Sequence, residues 1–321
     1  PMDEAGQHSY SMSPTGKWAV HTFSNAVTPP VIDMVSFPGH KSVRMIEDNA
    51  EAKAQYKALG LNPKEFVKAK SGDLMLDVCM IKPVNFDPNK KYPVIIEVYG
   101  EPAGSTVQDV WSGGDLWNQY MVNQGYIYVS IENRGANAPR GHEWRKCIYG
   151  EVGTFACEDQ ARGIQDLARQ YPFIDLSRIG ITGWSGGGSQ TLNCMFRYPS
   201  VFHTGIAIAF VSDQRLYDTI YQERYMNTPQ NNPEGYRKGS PITYANGLEG
   251  NLLLIHGTGD DNVHYQSCEM LVDKLVEYGK MFSQISYPMR SHGIYERKGT
   301  SLHLRKSMAK YWLEHLPAGG K

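Results

Sequence analysis

The stretch Arg178-Ile-Gly-Ile-Thr-Gly-Trp-Ser-Gly-Gly-Gly-Ser-Gln190 joins a short apolar run to a polar, glycine-rich segment. The apolar run predicts a buried strand, and the residues after Gln190 can continue as a helix. A serine at the apex of a strand–turn–helix unit, flanked by glycines, is the arrangement of a nucleophile elbow. The pattern therefore predicts an α/β fold with Ser185 as nucleophile and the Gly186 N–H as an oxyanion donor. A glycine-rich turn that serves packing alone is the alternative.

Two further polar segments follow strand-like runs later in the chain. A strongly apolar run is followed by Asp260 and Asp261, and the next strand-like run is followed by His292. In folds with a nucleophile elbow, the acid and the histidine follow the serine in this order. His292 is therefore a candidate general base for Ser185, oriented by Asp260 or Asp261. Taken alone, the aspartates could cap a helix and the histidine could be a solvated surface residue.

The chain divides into parts that differ in their pattern. Residues 1–46 carry three short strand-like runs separated by proline and glycine, which is typical of part of a β-sheet unit such as a propeller blade. Residues 47–65 predict a linking helix, and residues 66–321 alternate strands with helices. This alternation predicts a mostly parallel central sheet flanked by helices. The predicted helices include residues 154–170 and 213–225.

The composition is that of an ordinary folded protein with a formal net charge of -1. This charge gives no reason to propose nucleic acid or an anionic membrane as a partner. No apolar run reaches the length of a membrane span, and the start of the chain does not resemble a signal peptide. The five cysteines are scattered, which favours buried free thiols over a disulfide framework or a metal site. No metal-binding or nucleotide-binding motif is found, so no cofactor is predicted.

Three motifs are specific enough to support a comparison with a known family. They are Gly183-Trp-Ser-Gly-Gly187, His256-Gly-Thr-Gly-Asp-Asp-Asn-Val-His264 and Ser291-His-Gly-Ile294. Together they resemble the prolyl oligopeptidase family of serine peptidases, and its dipeptidyl peptidase IV branch in particular. Members of this family join an α/β-hydrolase domain to an N-terminal β-propeller. The resemblance therefore implies that residues 1–46 are the last propeller blade and that residues 66–321 are a catalytic α/β-hydrolase domain.

The resemblance also assigns roles to residues at matching positions. Asp260 resembles the acid of the triad, and Tyr99 resembles the tyrosine whose hydroxyl joins the Gly186 N–H in the oxyanion hole. Asn262 resembles the residue that holds a substrate backbone carbonyl. Further matches lie in the S1 pocket, which receives the side chain before the cleaved bond: Val211, Tyr217 and Tyr221. Packing of the tyrosines and helix capping by Asn262 are the alternatives.

Two departures from the family pattern concern the S1 pocket. Gly186 stands where proline-cleaving relatives carry an aromatic residue, and Gln214 stands where they carry a tryptophan. Both replacements remove apolar surface, so a wider and more polar pocket is expected, and strict cleavage after proline is not. The paired glutamates that bind a substrate's free amine in dipeptidyl peptidases belong to the propeller and lie outside this sequence.

The expected function is hydrolysis of short peptides by a Ser-Asp-His triad, of dipeptidyl peptidase or oligopeptidase type. The alternatives are a carboxylesterase of the same fold, a non-catalytic binding protein, and a fragment that is inactive without its propeller. The resemblance favours a periplasmic or extracellular location and is compatible with a homodimer. Peptides are the expected partners, with no nucleic acid and no membrane contact from this segment.

Overall fold

The computed structural model describes residues 4–113 and 115–321, which contain two separate sheets. The first sheet is antiparallel, with its four strands in the order β1–β2–β3–β4. These strands are β1 (Gln7–Met12), β2 (Trp18–Asn25), β3 (Thr28–Ser36) and β4 (Lys41–Glu47). Only three strands were predicted here, and β4 is the one missed. It lies at the edge of the sheet with every residue exposed, so burial imposes no strict alternation on its sequence.

Helix α1 (Ala50–Ala58) leads into a sheet of eight strands in the order β12–β11–β10–β9–β7–β8–β6–β5. From β12 to β8 the neighbours run parallel, whereas β6 pairs antiparallel with both β8 and β5. The prediction of a mostly parallel sheet is therefore confirmed. The strands are β5 (Lys64–Ser71), β6 (Leu74–Ile81), β7 (Tyr92–Glu97), β8 (Ile127–Glu132), β9 (Ile174–Trp184), β10 (Thr204–Ile208), β11 (Asn251–Gly257) and β12 (Ser283–Tyr287).

The helices between these strands mostly follow the prediction. They are α2 (Leu116–Asn123), α3 (His142–Lys146), α4 (Phe155–Gln170), α5 (Gly186–Arg197), α6 (Thr219–Met226), α7 (Pro233–Gly239), α8 (Gln266–Glu277) and α9 (Thr300–His315). The single helix predicted over residues 213–225 is wrong. A short 3-10 turn (Gln214–Leu216) is followed by Tyr217 in an extended conformation, and the Asp218 carboxylate then accepts the Tyr221 N–H and starts α6. Helices α3 and α7 were not predicted.

Helices cover both faces of the large sheet, because its central strands are apolar on both sides. Val94 and Ile96 of β7 point into a cluster with residues of α4, α5 and α8, whereas Ile95 points into a cluster with residues of α2 and α9. These alternate side chains are fully buried. This two-sided burial explains why the strand reads as a continuous apolar run rather than as an alternating one.

The parallel strands β9, β11 and β12 end at the same edge of the sheet, and the loops after them carry the candidate site residues. Within the described residues, no helix combines the length and the apolar character that a membrane crossing needs.

Candidate active site

Ser185 lies between β9 and α5, at the apex of a sharp turn. Its backbone has φ 60° and ψ -122°, a positive φ that residues other than glycine rarely adopt. The Ser185 N–H donates a hydrogen bond of 2.9 Å to the carbonyl oxygen of Ile208. A Cβ atom on Gly187 would clash with the carbonyl oxygen of Val98, so the close packing of the turn requires glycine there. The turn holds Ser185 at the carboxyl edge of the sheet.

Asp260 lies in the turn after β11, and donors surround its carboxylate. The backbone N–H groups of Asn262 and Val263 donate to Oδ1 at 3.0 and 2.8 Å. Oδ2 lies 2.8 Å from His292 Nδ1 and 3.3 Å from His256 Nε2. Burial disfavours the charged form, but the hydrogen bonds from His256 and His292 outweigh it and hold the pKa of Asp260 well below its ordinary value. Asp260 is therefore an anion at neutral pH.

His292 lies in the loop after β12, where two contacts hold it beside the elbow. Its Nδ1 faces Asp260, and its backbone carbonyl accepts a hydrogen bond of 2.9 Å from Trp184 Nε1. Since Trp184 directly precedes Ser185, this bond ties the histidine loop to the turn. With Nδ1 engaged by a carboxylate, Nε2 is the atom left to accept a proton.

The adjacent Asp261 is exposed, and no described hydrogen bond joins it to His292, whose Nδ1 contacts Asp260 instead. The described hydrogen bonds include none between Ser185 and His292. Such bonds are often long in unliganded enzymes and tighten when substrate binds. The structure thus brings Asp260 and His292 into direct contact and places Ser185 in the adjoining turn.

A small cavity of about 20 Å³ opens beside Ser185. Most of the predicted site residues line this cavity: Tyr99, Ser185, Gly186, Val211, Gln214, Tyr217 and Tyr221. The Gln214 side chain is turned toward the protein interior, where its Nε2 donates a hydrogen bond of 3.2 Å to the Gly239 carbonyl. Asn262 does not line this cavity. It is exposed and borders a neighbouring hollow that Tyr217 also lines.

Tyr99 lies just after β7, which is on the opposite side of β9 in the sheet from β12, the strand that precedes the histidine loop. Burial, together with the nearby Glu101 carboxylate, raises the pKa of the Tyr99 hydroxyl to about 12. The hydroxyl therefore remains protonated at neutral pH and can donate a hydrogen bond. Tyr99 and Gly186 both line the cavity next to Ser185, so the Tyr99 hydroxyl and the Gly186 N–H could stabilise an oxyanion there.

Glu101 also lines the cavity, and it was not predicted from the sequence. Its side chain is buried, and it accepts hydrogen bonds from Gln190 Nε2 at 3.0 Å and from the Tyr221 hydroxyl at 3.2 Å. Burial raises the pKa of Glu101 to about 7, against the effect of these two hydrogen bonds. The sequence shows it only as a charged residue two positions after Tyr99. Because a solvated glutamate is ordinary in such a loop, this position alone does not indicate a role in the site.

Glu101 also bears on the expected shape of the pocket. A Cβ atom on Gly186 would collide with the Glu101 side chain, so the glutamate fills the space next to the glycine. The room that this glycine leaves is therefore taken up by a polar side chain of another loop. Within the described residues, no group of three or more His, Cys, Asp or Glu side chains is arranged to hold a metal ion.

The chain matches the model of a known protein family. The model of the prolyl oligopeptidase family matches residues 113–318, which is more than half of the chain. The chain belongs to the prolyl oligopeptidase family. Among solved structures, a dipeptidyl peptidase 4 from Porphyromonas gingivalis superposes with a TM-score of 0.92 and is 37% identical, covering 98% of this chain and 44% of that one. The α/β-hydrolase fold predicted from the sequence is thereby confirmed.

Two curated relatives of this chain illustrate the names that its relatives carry. A "Probable dipeptidyl-aminopeptidase B" of Uncinocarpus reesii is 38% identical over 254 residues, which are 78% of this chain and 27% of that protein. "Venom dipeptidyl peptidase 4" of Vespa velutina is 34% identical over 278 residues, which are 85% of this chain and 35% of that protein. The chain thus spans about a third of the length of these relatives.

Proposed function

We propose that this chain is the catalytic part of a serine peptidase that hydrolyses short peptides, of dipeptidyl peptidase or oligopeptidase type. The observation that carries the proposal is the 2.8 Å contact between His292 Nδ1 and Asp260 Oδ2, tied by Trp184 to the turn that bears Ser185. Membership of the prolyl oligopeptidase family supports it. So do the names of the relatives, which contain dipeptidyl peptidase or dipeptidyl-aminopeptidase.

In this proposal the reaction proceeds through an acyl-enzyme. Ser185 Oγ attacks the carbonyl carbon of the peptide bond while His292 Nε2 accepts the hydroxyl proton. The Tyr99 hydroxyl and the Gly186 N–H donate hydrogen bonds to the oxyanion that forms. His292 then gives the proton to the leaving amine, and the C–N bond breaks. A water molecule hydrolyses the acyl-enzyme by the same steps in reverse, and Asp260 stabilises the imidazolium in each half-reaction.

The proposal extends to the organisation of the chain. Residues 1–46 would be a propeller blade, residues 47–65 a linker, and residues 66–321 the catalytic domain. The four-stranded sheet β1–β4 supports this division, because it is separate from the eight-stranded sheet and is followed by α1. A four-stranded antiparallel sheet is the unit from which propellers are built. A homodimer, with which the resemblance is compatible, stays a prediction.

The proposal is tested with Ser185→Ala in the full-length protein. The variant should lose hydrolysis of dipeptide anilides and labelling by a fluorophosphonate probe, because the probe reacts with the activated nucleophile. Ser177→Ala is the matched control, since Ser177 is exposed and its hydrogen bonds in the described part of the chain go to Asp175. Labelling of Ser185→Ala at the wild-type level would refute the assignment. Turnover of short acyl esters without turnover of any anilide would favour the carboxylesterase alternative.

A further inference from the structure

The cavity beside Ser185 has polar groups that the proposed triad does not use. The Glu101 side chain lines it with 4% relative exposure, and Gln222 of α6 lines it with 2%. Gln222 Nε2 is buried and has no hydrogen-bond partner within the described part of the chain. A buried donor without a partner costs free energy, which a ligand that accepts its hydrogen bond would recover.

The Glu101 carboxylate also has unused capacity. Two donors reach it, Gln190 Nε2 and the Tyr221 hydroxyl, whereas an ionised carboxylate has about four lone-pair sites. The titratable groups that face it are the hydroxyls of Tyr99, Tyr217 and Tyr221. Across residues 4–113 and 115–321, no Lys, Arg or His forms a salt bridge with Glu101. A bound group that donates a hydrogen bond to the Glu101 carboxylate would therefore fill one of its free acceptor sites.

The size of the cavity limits what such a group can be. Its volume of about 20 Å³ is far smaller than the volume of about 540 Å³ of the neighbouring hollow that Tyr217 and Asn262 line. Glu101 occupies the space next to Gly186, and Gln214 is held against Gly239 by its side-chain hydrogen bond. A hydroxymethyl group fits this room more closely than the ring of proline or the long chain of lysine or arginine.

We infer that this pocket selects a short, uncharged P1 side chain whose hydroxyl donates to Glu101 and accepts from Gln222, as a serine side chain can. The P1 residue is the one whose carbonyl Ser185 attacks. The inference rests on the proposed function and adds its substrate class. Glu101 is in this role a specificity-determining residue, and it has no part in the proton transfers of the triad.

The test compares four dipeptide anilides that share one P2 residue and carry serine, alanine, proline or lysine at P1. In the full-length protein, kcat/KM should be highest for serine and at least about tenfold above alanine, the same side chain without its hydroxyl. In Glu101→Gln the serine-to-alanine ratio should fall to within about threefold of one. Glu314→Gln is the control, because Glu314 is a surface residue paired with Lys310 and should leave the ratio unchanged.

The pH dependence of the serine-to-alanine ratio provides a second readout that does not need a variant. Any pH effect on the shared chemical steps applies to both substrates equally and cancels in the ratio. The ratio should therefore rise as the pH passes through about 7, where Glu101 loses its proton and becomes the stronger acceptor. In Glu101→Gln the ratio should not change with pH.

The outcomes separate this inference from the proposed function. If Ser185 reacts with the fluorophosphonate and the alanine anilide is hydrolysed, but the ratio is near one or independent of pH, the pocket inference fails and the peptidase proposal stands. A clear preference for lysine or proline at P1 also overturns it. If the labelled enzyme hydrolyses none of the four anilides, the proposed function fails, and the pocket inference fails with it.

Discussion

Ser185 combines a strained backbone with a side chain that neighbouring residues leave accessible. A non-glycine residue at positive φ of this kind costs on the order of 1–3 kcal/mol, and it persists where the surrounding structure holds it in place. Here the hydrogen bond from its N–H to Ile208 O and the tight packing of Gly187 against Val98 hold it. Strain of this kind is typical of a nucleophile elbow, because the turn exposes Oγ and directs the next N–H toward the same space.

Removing the Tyr99 hydroxyl should slow the reaction. Tyr99→Phe removes one of the two proposed oxyanion donors while keeping the ring. We expect kcat to fall by about 10²–10³ with little change in KM, because the bond forms only with the developing oxyanion. Steady-state kinetics on an anilide measure this, with Tyr120→Phe as the control because Tyr120 is exposed. A variant with unchanged kcat would show that Tyr99 is a packing residue.

Some residues of the candidate site could be predicted from the sequence, and one could not. Ser185, Asp260 and His292 could be proposed from the sequence because each follows a recognisable strand, and their order along the chain is itself a constraint. Glu101 could not. Its importance depends on a contact with Gly186 that joins two distant loops and on its burial, and neither is encoded in the residues next to it.

At the scale of elements, the site depends on how three loops are fixed against one another. The Trp184 side chain, at the end of β9, donates a hydrogen bond to the backbone of the loop after β12. The loop after β11 is held by the backbone N–H groups that cap Asp260. These contacts fix the His292 backbone and the Asp260 carboxylate relative to the turn that bears Ser185.

Trp184→Phe tests the contribution of one of these contacts. Trp184 is a positioning residue in this proposal, so losing its N–H should lower kcat several-fold and leave KM nearly unchanged. A single hydrogen bond of this kind contributes about 1 kcal/mol, and stability should fall by a similar amount. Trp117→Phe is the matched control, because Trp117 packs against the same apolar cluster, whereas the described hydrogen bond to the His292 carbonyl comes from Trp184. Equal kinetic effects of the two substitutions would contradict a positioning role for Trp184.

The boundaries of helices are a second feature that could not be predicted from the sequence. The predicted helix over residues 213–225 has helical spacing throughout, yet Tyr217 is extended between a 3-10 turn and α6. Two local caps decide this: Asp213 accepts the Arg215 N–H and Asp218 accepts the Tyr221 N–H. The break turns Tyr217 and Tyr221 toward the cavity, so the failure of the helical prediction falls at the candidate site.

At the scale of the whole molecule, the strands that sequence reasoning found and those it missed differ in burial. The central strands β7, β9, β10 and β11 are covered on both faces and were recognised as apolar runs. The missed strands β4 and β5 lie at sheet edges: every residue of β4 is exposed, and only two of the eight residues of β5 are buried. Their existence is decided by pairing with β3 and β6, which local composition does not reveal.

The buried Glu101 gives the folded molecule a pH-dependent stability that can be predicted with its sign. Its ordinary pKa is 4.5, and burial raises the pKa to about 7 in the folded protein. Below pH 4.5 the carboxyl is protonated in both states and contributes nothing. As the pH rises from 4.5 to 7, the unfolded chain releases its proton first, so stability falls and then levels off above pH 7. The difference between the two pKa values corresponds to a loss on the order of 3 kcal/mol.

Glu101→Gln removes this titration while preserving the size of the side chain. We therefore expect the melting temperature of the variant, relative to wild type, to be about 5 °C more favourable at pH 8 than at pH 4.5. Thermal unfolding of the full-length protein at both pH values measures this, with Glu314→Gln as a surface control that should show no such difference. A difference between variant and wild type that stays constant with pH would mean that Glu101 does not hold its proton in the fold. The pocket would then present a full carboxylate throughout, and the pH-dependent choice between serine and alanine at P1 would also be absent.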